Sequence, residues 1–129
     1  MKKIILFASF MLLFSFFMEA QNQFRLDYNN VAFFDTETKT WSDWELAEHT
    51  LVFNINENQD VKHYTAKGDV IVYRNMGNKQ VGETKDGEHY QMIDFLDEEG
   101  NELTLKIFDN PELGILLING FFMVQFAKY

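Results

Sequence analysis

Three histidines, a single serine beyond residue 20 and a dense set of carboxylates are the groups of this chain that can do chemistry. Three imidazoles meeting at one point would bind zinc. His49, His63 and His89 show none of the local spacings that announce such a site, neither H-x-H nor H-E-x-x-H. A histidine alone on a strand is ordinarily a surface or hydrogen-bonded residue, so no metal is expected. Ser42 stands in W-S-D-W, without the G-x-S-x-G turn that presents a nucleophile. The chain has no cysteine, which removes thiol chemistry and disulfides together.

The carboxylates read as turns. Asn54, Asn56, Asn58 and Asp60 alternate like the opening of a calcium loop. Gln59 stands where that loop needs glycine and Thr65 where it needs an acid, so the segment is an Asx-rich turn at a strand end. Asp94, Asp97, Glu98, Glu99 and Glu102 form a denser acidic group, which could hold a weak calcium ion but is more simply the pattern of a solvated hairpin tip. Nothing singles out a glycosidase-like carboxylate pair. The expectation is a non-enzymatic protein with no catalytic residue and no cofactor.

Binding is the chemistry left, and aromatic residues would carry it. Trp41, Trp44, Tyr73, Tyr90 and Phe122 are the candidate wall of a site for an apolar small molecule or peptide. A second candidate surface, for a protein partner, is Leu116, Ile118, Phe121 and Met123. These four share one face of the C-terminal hairpin.

That hairpin organises the elements. Two apolar runs, 115–118 and 121–124, flank Asn119-Gly120, the dipeptide best suited to the positive φ angles of a type I′ turn. A two-residue bend there would set Ile118 opposite Phe121 and Ile115 opposite Val124. Leu113, Ile115, Leu117, Phe122, Val124 and Phe126 then share a wholly apolar face, the expected core face.

The rest of the chain reads as strands with short turns. Phe24, Leu26 and Tyr28 alternate with polar residues, Asn29-Asn30 breaks or bulges the strand, and residues 31–34 resume it. Residues 41–48 suggest a loop with at most one short helical turn, since the two tryptophans lie three apart and Ser42 or Asp43 suits a cap. Strands follow at 51–55, 61–65 (with Val61 and His63 on one face), 70–73, 89–96 and 103–107. Residues 75–87, with three glycines, look like a mobile loop or loose hairpin. The count is about eight. Short sequential connections favour an all-β antiparallel meander, closed or flattened into a β-barrel, with a two-sheet sandwich as the alternative. Strands apolar on both faces, 70–73 and 115–118, favour a filled barrel interior or a second layer packed outside.

Residues 1–20 read as a signal peptide. Lys2 and Lys3 precede an apolar run at 4–18, shorter than the ~20 residues needed to span a bilayer, and Ala20 offers a small residue for cleavage. Residues 21–129 form one domain, secreted or periplasmic, with no membrane insertion after cleavage. The chain carries 20 acidic and 11 basic residues, net −9. Losing Lys2, Lys3 and Glu19 makes the remainder one unit more negative. Such a surface repels nucleic acid.

A signal peptide, an early tryptophan and about eight antiparallel strands resemble the lipocalin and fatty-acid-binding (calycin) group. The resemblance implies a barrel that holds small apolar ligands. The lipocalin G-x-W is absent: Trp41 follows Lys39-Thr40 and Trp44 follows Ser42-Asp43. The acidic, Phe- and Asn-rich style with Ala-Gln at the processing site is also similar to small secreted proteins of Gram-negative bacteria.

Overall fold

A computed structural model describes residues 22–120 and 122–129. The expected signal peptide, like Phe121 of the proposed partner face, lies outside them. Nine strands follow in order: β1 (Phe24–Asp35), β2 (Thr40–Trp41), β3 (Glu45–Phe53), β4 (Val61–Tyr64), β5 (Val70–Glu83), β6 (His89–Leu96), β7 (Glu102–Phe108), β8 (Ile115–Asn119) and β9 (Phe122–Ala127). No helix occurs among the described residues. All pairings are antiparallel, and β3 to β8 each pair with the next in sequence.

Strand β1 closes the sheet. Its first part pairs with β3, from Phe24↔Phe53 to Val31↔Glu45, and its second with β9, from Asn30↔Ala127 to Phe34↔Met123. The result is an eight-stranded barrel, with β2 added beside the end of β1. Closure removes the unpaired edges that an open sheet would expose. The register shifts between Tyr28 and Asn30, where the sequence put a break. Tyr28 and Val31, an odd distance apart, both turn inward as a result, which is what a bulge does to the alternation.

Alternation builds the core. Leu51 and Phe53, Val61 and His63, Leu103 and Leu105, Ile115 and Leu117, and Val124 and Phe126 point inward from their strands and are buried. Leu51, Val61, Phe95, Leu105 and Ile115 are fully enclosed and plug the middle of the barrel. Each such side chain contributes about 1.5–3 kcal/mol of apolar burial. The interior is filled there, the first of the two arrangements that the two-sided strands suggested.

Two local expectations are corrected, the register of the C-terminal bend and the loop at 75–87. The C-terminal bend does not set Ile118 opposite Phe121. The ladder runs Ile115↔Phe126, Leu117↔Val124 and Asn119↔Phe122, so the bend lies between Asn119 and Phe122. The slip is by two residues in the pairing sum. An even slip keeps every side chain on its own face, and the predicted core face therefore survives, with Phe122 at its exposed end.

No helical turn forms at 41–48. The Asp35 carboxylate accepts from the Glu37 and Thr38 N–H groups and Lys39 takes a φ of 59°, which folds β1 back into β2. Ser42 N–H donates to the Phe33 carbonyl and Glu45 already pairs with Val31, so this backbone is claimed by the sheet. Residues 75–83 are not a loop. They continue β5, whose pairing with β6 resumes at Lys79↔Ile93 after an irregularity between Asn75 and Lys79.

One glycine is demanded by packing. Gly114 has a φ of 66°, and a Cβ there would run into the carbonyl oxygen of Phe126. The loop before β8 passes that close to β9 only because residue 114 has no side chain.

Candidate functional site

Beyond the plug, toward the end where the β6–β7 and β8–β9 hairpins turn, the interior opens into a cup of about 280 Å³. Val31, Leu103, Leu117 and Val124 form its wall. Phe33 and Phe122, each 46% exposed, stand at its rim with Asp97 and Asn119. Its deep end is His63, Tyr73 and Phe126, all buried, with half-buried His49 beside them.

Four side chains at that deep end form one unit. His49 Nδ1 lies 2.9 Å from His63 Nε2, and His63 Nδ1 lies 2.7 Å from Tyr73 Oη. The Phe126 ring flanks both imidazoles, with centroids at 4.7 Å and 5.3 Å. Backbone register explains the chain. Leu51 pairs with His63, and His63 pairs with Ile71. His49 and Tyr73 are thus each two residues off the direct partner, and the three side chains climb diagonally across β3, β4 and β5. Diagonal neighbours are within reach of long and aromatic side chains, and strand twist brings one diagonal closer.

Hydrogen-bond chemistry permits two orders along this chain. In one, Tyr73 Oη–H donates to His63 Nδ1 and His63 Nε2–H donates to His49 Nδ1, and the His49 proton sits on Nε2, outside the chain. In the other, His49 Nδ1–H donates to His63 Nε2, His63 Nδ1–H donates to Tyr73 Oη, and the phenol hydrogen is left for a guest. Both orders use neutral rings.

Electrostatics keeps the unit neutral. Burial, helped by the neighbouring His49, lowers the His63 imidazole to about 4. Burial also pushes His49 below its ordinary value. Burial, reinforced by the charges of Asp97 and Glu98, holds the Tyr73 phenol firmly protonated. Near pH 7 the deep end therefore offers donors and acceptors but no charge.

The rim is different. Asp97 begins the tip of the β6–β7 hairpin, where its Oδ1 accepts from the Glu99 and Asn101 N–H groups at 2.9 Å and 2.8 Å. Its Oδ2 accepts only a long 3.3 Å bond from Asn101 Nδ2. These bonds, the Asn101 N–H foremost, hold its carboxyl below the usual range, so it is ionised. No lysine or arginine lines the cup among the described residues.

Of the residues the sequence proposed as a binding wall, the structure brings two to the cup, Tyr73 and Phe122. The other three lie elsewhere. Trp41 packs on Phe34 with ring centroids 5.2 Å apart, and Trp44 meets Tyr129 edge-on at 5.4 Å. Tyr90 covers Gly82, its cross-strand partner, on the outer wall, with the Lys106 ammonium 4.2 Å from its ring. Leu116, Ile118 and Met123 of the proposed partner face are half-buried on the outer wall, where pairings align Trp41, Phe34, Met123 and Ile118 in one row.

The residues that sequence reasoning missed are His49 and His63 as a pair. Pairing the 51–55 and 61–65 strands about the Asx-rich turn would have brought them within two positions of each other. His49 lies outside the 51–55 strand that the sequence suggests, because β3 begins at Glu45, six residues before that strand. His89 lies apart, in the opening pair of β5 with β6 opposite Glu83. No group of three or more His, Cys, Asp or Glu able to hold a metal occurs among the described residues. Ser42 is committed to structure: its Oγ accepts from Phe33 N–H and donates to the Asp43 carbonyl.

No protein-family model matches the chain, and neither does any curated protein or solved structure.

Proposed function

We propose that this protein is an exported, non-catalytic binding domain that holds a small, mostly apolar molecule in the cup. The observation that carries the reading is an apolar cavity ending on a neutral, hydrogen-bonded His49–His63–Tyr73 chain. Ligand sites commonly pair an apolar lining with a few fixed polar groups, and about 280 Å³ suits a guest of roughly a dozen heavy atoms. Holding is favoured over reacting because the phenol stays protonated, the imidazoles are boxed in by Phe126, and the Ser42 hydroxyl is spent on backbone. Export rests on the basic and apolar character of residues 2–18. The closed barrel with a cup at one end supports the likeness to the lipocalin and fatty-acid-binding group.

The test is uptake of a small neutral fluorescent probe, 1-aminonaphthalene, by the purified protein. Saturable enhancement is expected, lost in Val124→Phe, which fills the cup, and kept in Trp41→Ala, which lies outside it. Uptake that ignores Val124→Phe, or no uptake at all, overturns the reading.

A further inference from the structure

We infer that the cup selects an organic cation, a small aromatic or aliphatic body ending in an ammonium group, with that group held at the rim between Asp97 and the rings of Phe33 and Phe122. This rests on the proposed binding role and names the class of guest. Three observations carry it. Asp97 is the single formally charged side chain that lines the cup among the described residues. Its Oδ2 has lone-pair capacity left after the turn bonds, because among the described residues only the long contact from Asn101 Nδ2 uses it. Phe33 and Phe122, on β1 and β9, stand half-exposed on the same lining, across the mouth from it.

A carboxylate beside aromatic faces is the combination that recognises ammonium groups, since the negative ring faces and the anion attract the same charge. The arrangement also excludes. A guest with a carboxylate would meet Asp97 and find no lysine or arginine on the cup lining to pair with. At the deep end the imidazoles are neutral and cannot supply the missing positive charge. An apolar body entering ahead of its ammonium would lie against Leu117, Val124 and Phe126, and leave its charge at the mouth, where desolvation costs least.

Three probes of one shape separate the possibilities: 1-naphthylmethylamine, 1-naphthylmethanol and 1-naphthoate, each titrated into the purified protein near neutral pH. The ammonium is expected to bind roughly tenfold tighter than the alcohol, with naphthoate weakest. Asp97→Asn keeps an acceptor oxygen for the hairpin turn. It is expected to bring the amine down to the alcohol's affinity and leave the alcohol unchanged. Without any variant, added salt should weaken the amine and spare the alcohol. If the alcohol or naphthoate binds as tightly as the amine, or Asp97→Asn weakens amine and alcohol alike, the cation selection is overturned while cup binding stands. If none of the three binds, both readings fall.

Discussion

The middle of the barrel and its open end are built from the same strands in the same alternation, yet they solve different problems. In the middle, Leu51, Val61, Phe95, Leu105 and Ile115 exclude solvent completely. One step further along β3, β4 and β5, the inward positions hold His49, His63 and Tyr73, and along β1 and β9 they hold Phe33 and Phe122, which stay half-exposed. At the far end Phe24, itself half-exposed, stacks on Phe53 at 4.9 Å, and the hollow beside them is smaller, about 130 Å³, with Asn54, Asn75 and Gln91 on its lining as well as Ile93 and Ile107. A barrel held together by its middle does not need its open end to be filled. That end can therefore keep space and polar groups, both of which weaken a core.

The sharpest way to break this contrast is to empty the middle. Phe95→Ala should cost roughly 3–5 kcal/mol in urea denaturation. Leu117→Ala, on the cup wall, should cost clearly less, because the space it vacates joins a cavity already open to solvent. Equal losses would mean that the cup wall bears as much of the fold as the plug.

Acid probes the open end alone. His63 has a lower affinity for protons in the fold, about 4, than its ordinary 6.5. Below pH 6.5 the unfolded chain therefore binds a proton that the folded chain refuses. Stability from this group is full above 6.5, falls as pH drops toward 4 and is flat below. The loss is roughly 3 kcal/mol across that window. Denaturation midpoints measured from pH 7 to pH 4 should show the slope, and His63→Gln, neutral throughout, should remove most of it.

The smallest effect expected is that of Tyr73→Phe. It preserves shape and deletes the partner of His63 Nδ1, 2.7 Å away. Leaving that nitrogen unpaired should cost about 1–2 kcal/mol in the same denaturation assay. A neutral result would mean that water entering the cup replaces the phenol, and that the chain is less fixed than its geometry indicates.

Much of this barrel was legible residue by residue. Alternation placed Leu51, Val61, His63, Leu105, Ile115 and Leu117 on consistent faces, because successive side chains of a strand must point to opposite sides. The single proline, Pro111, fell in a loop, as its missing N–H requires. The C-terminal hairpin was legible in kind but not in register. Asn119-Gly120 is an excellent local bend, yet the ladder that forms is the one that also lets β8 match β7 and β9 match β1. Residues 75–83, glycine-rich and polar, showed no apolar alternation at all. They are strand because β6 needs a neighbour.

The amino-acid order by itself determined the fold class, the two-sidedness of most strands and the acid-rich composition, since these depend on residue types and on neighbours one or two residues away. Tertiary structure alone decided that His49, His63 and Tyr73 meet, that Phe33 and Phe122 share a rim with Asp97, and that both tryptophans stay outside. Those contacts run diagonally between strands or across the closure of the barrel. Their distances are fixed by register, twist and the way β1 joins both ends of the sheet, and no stretch of sequence contains that information locally.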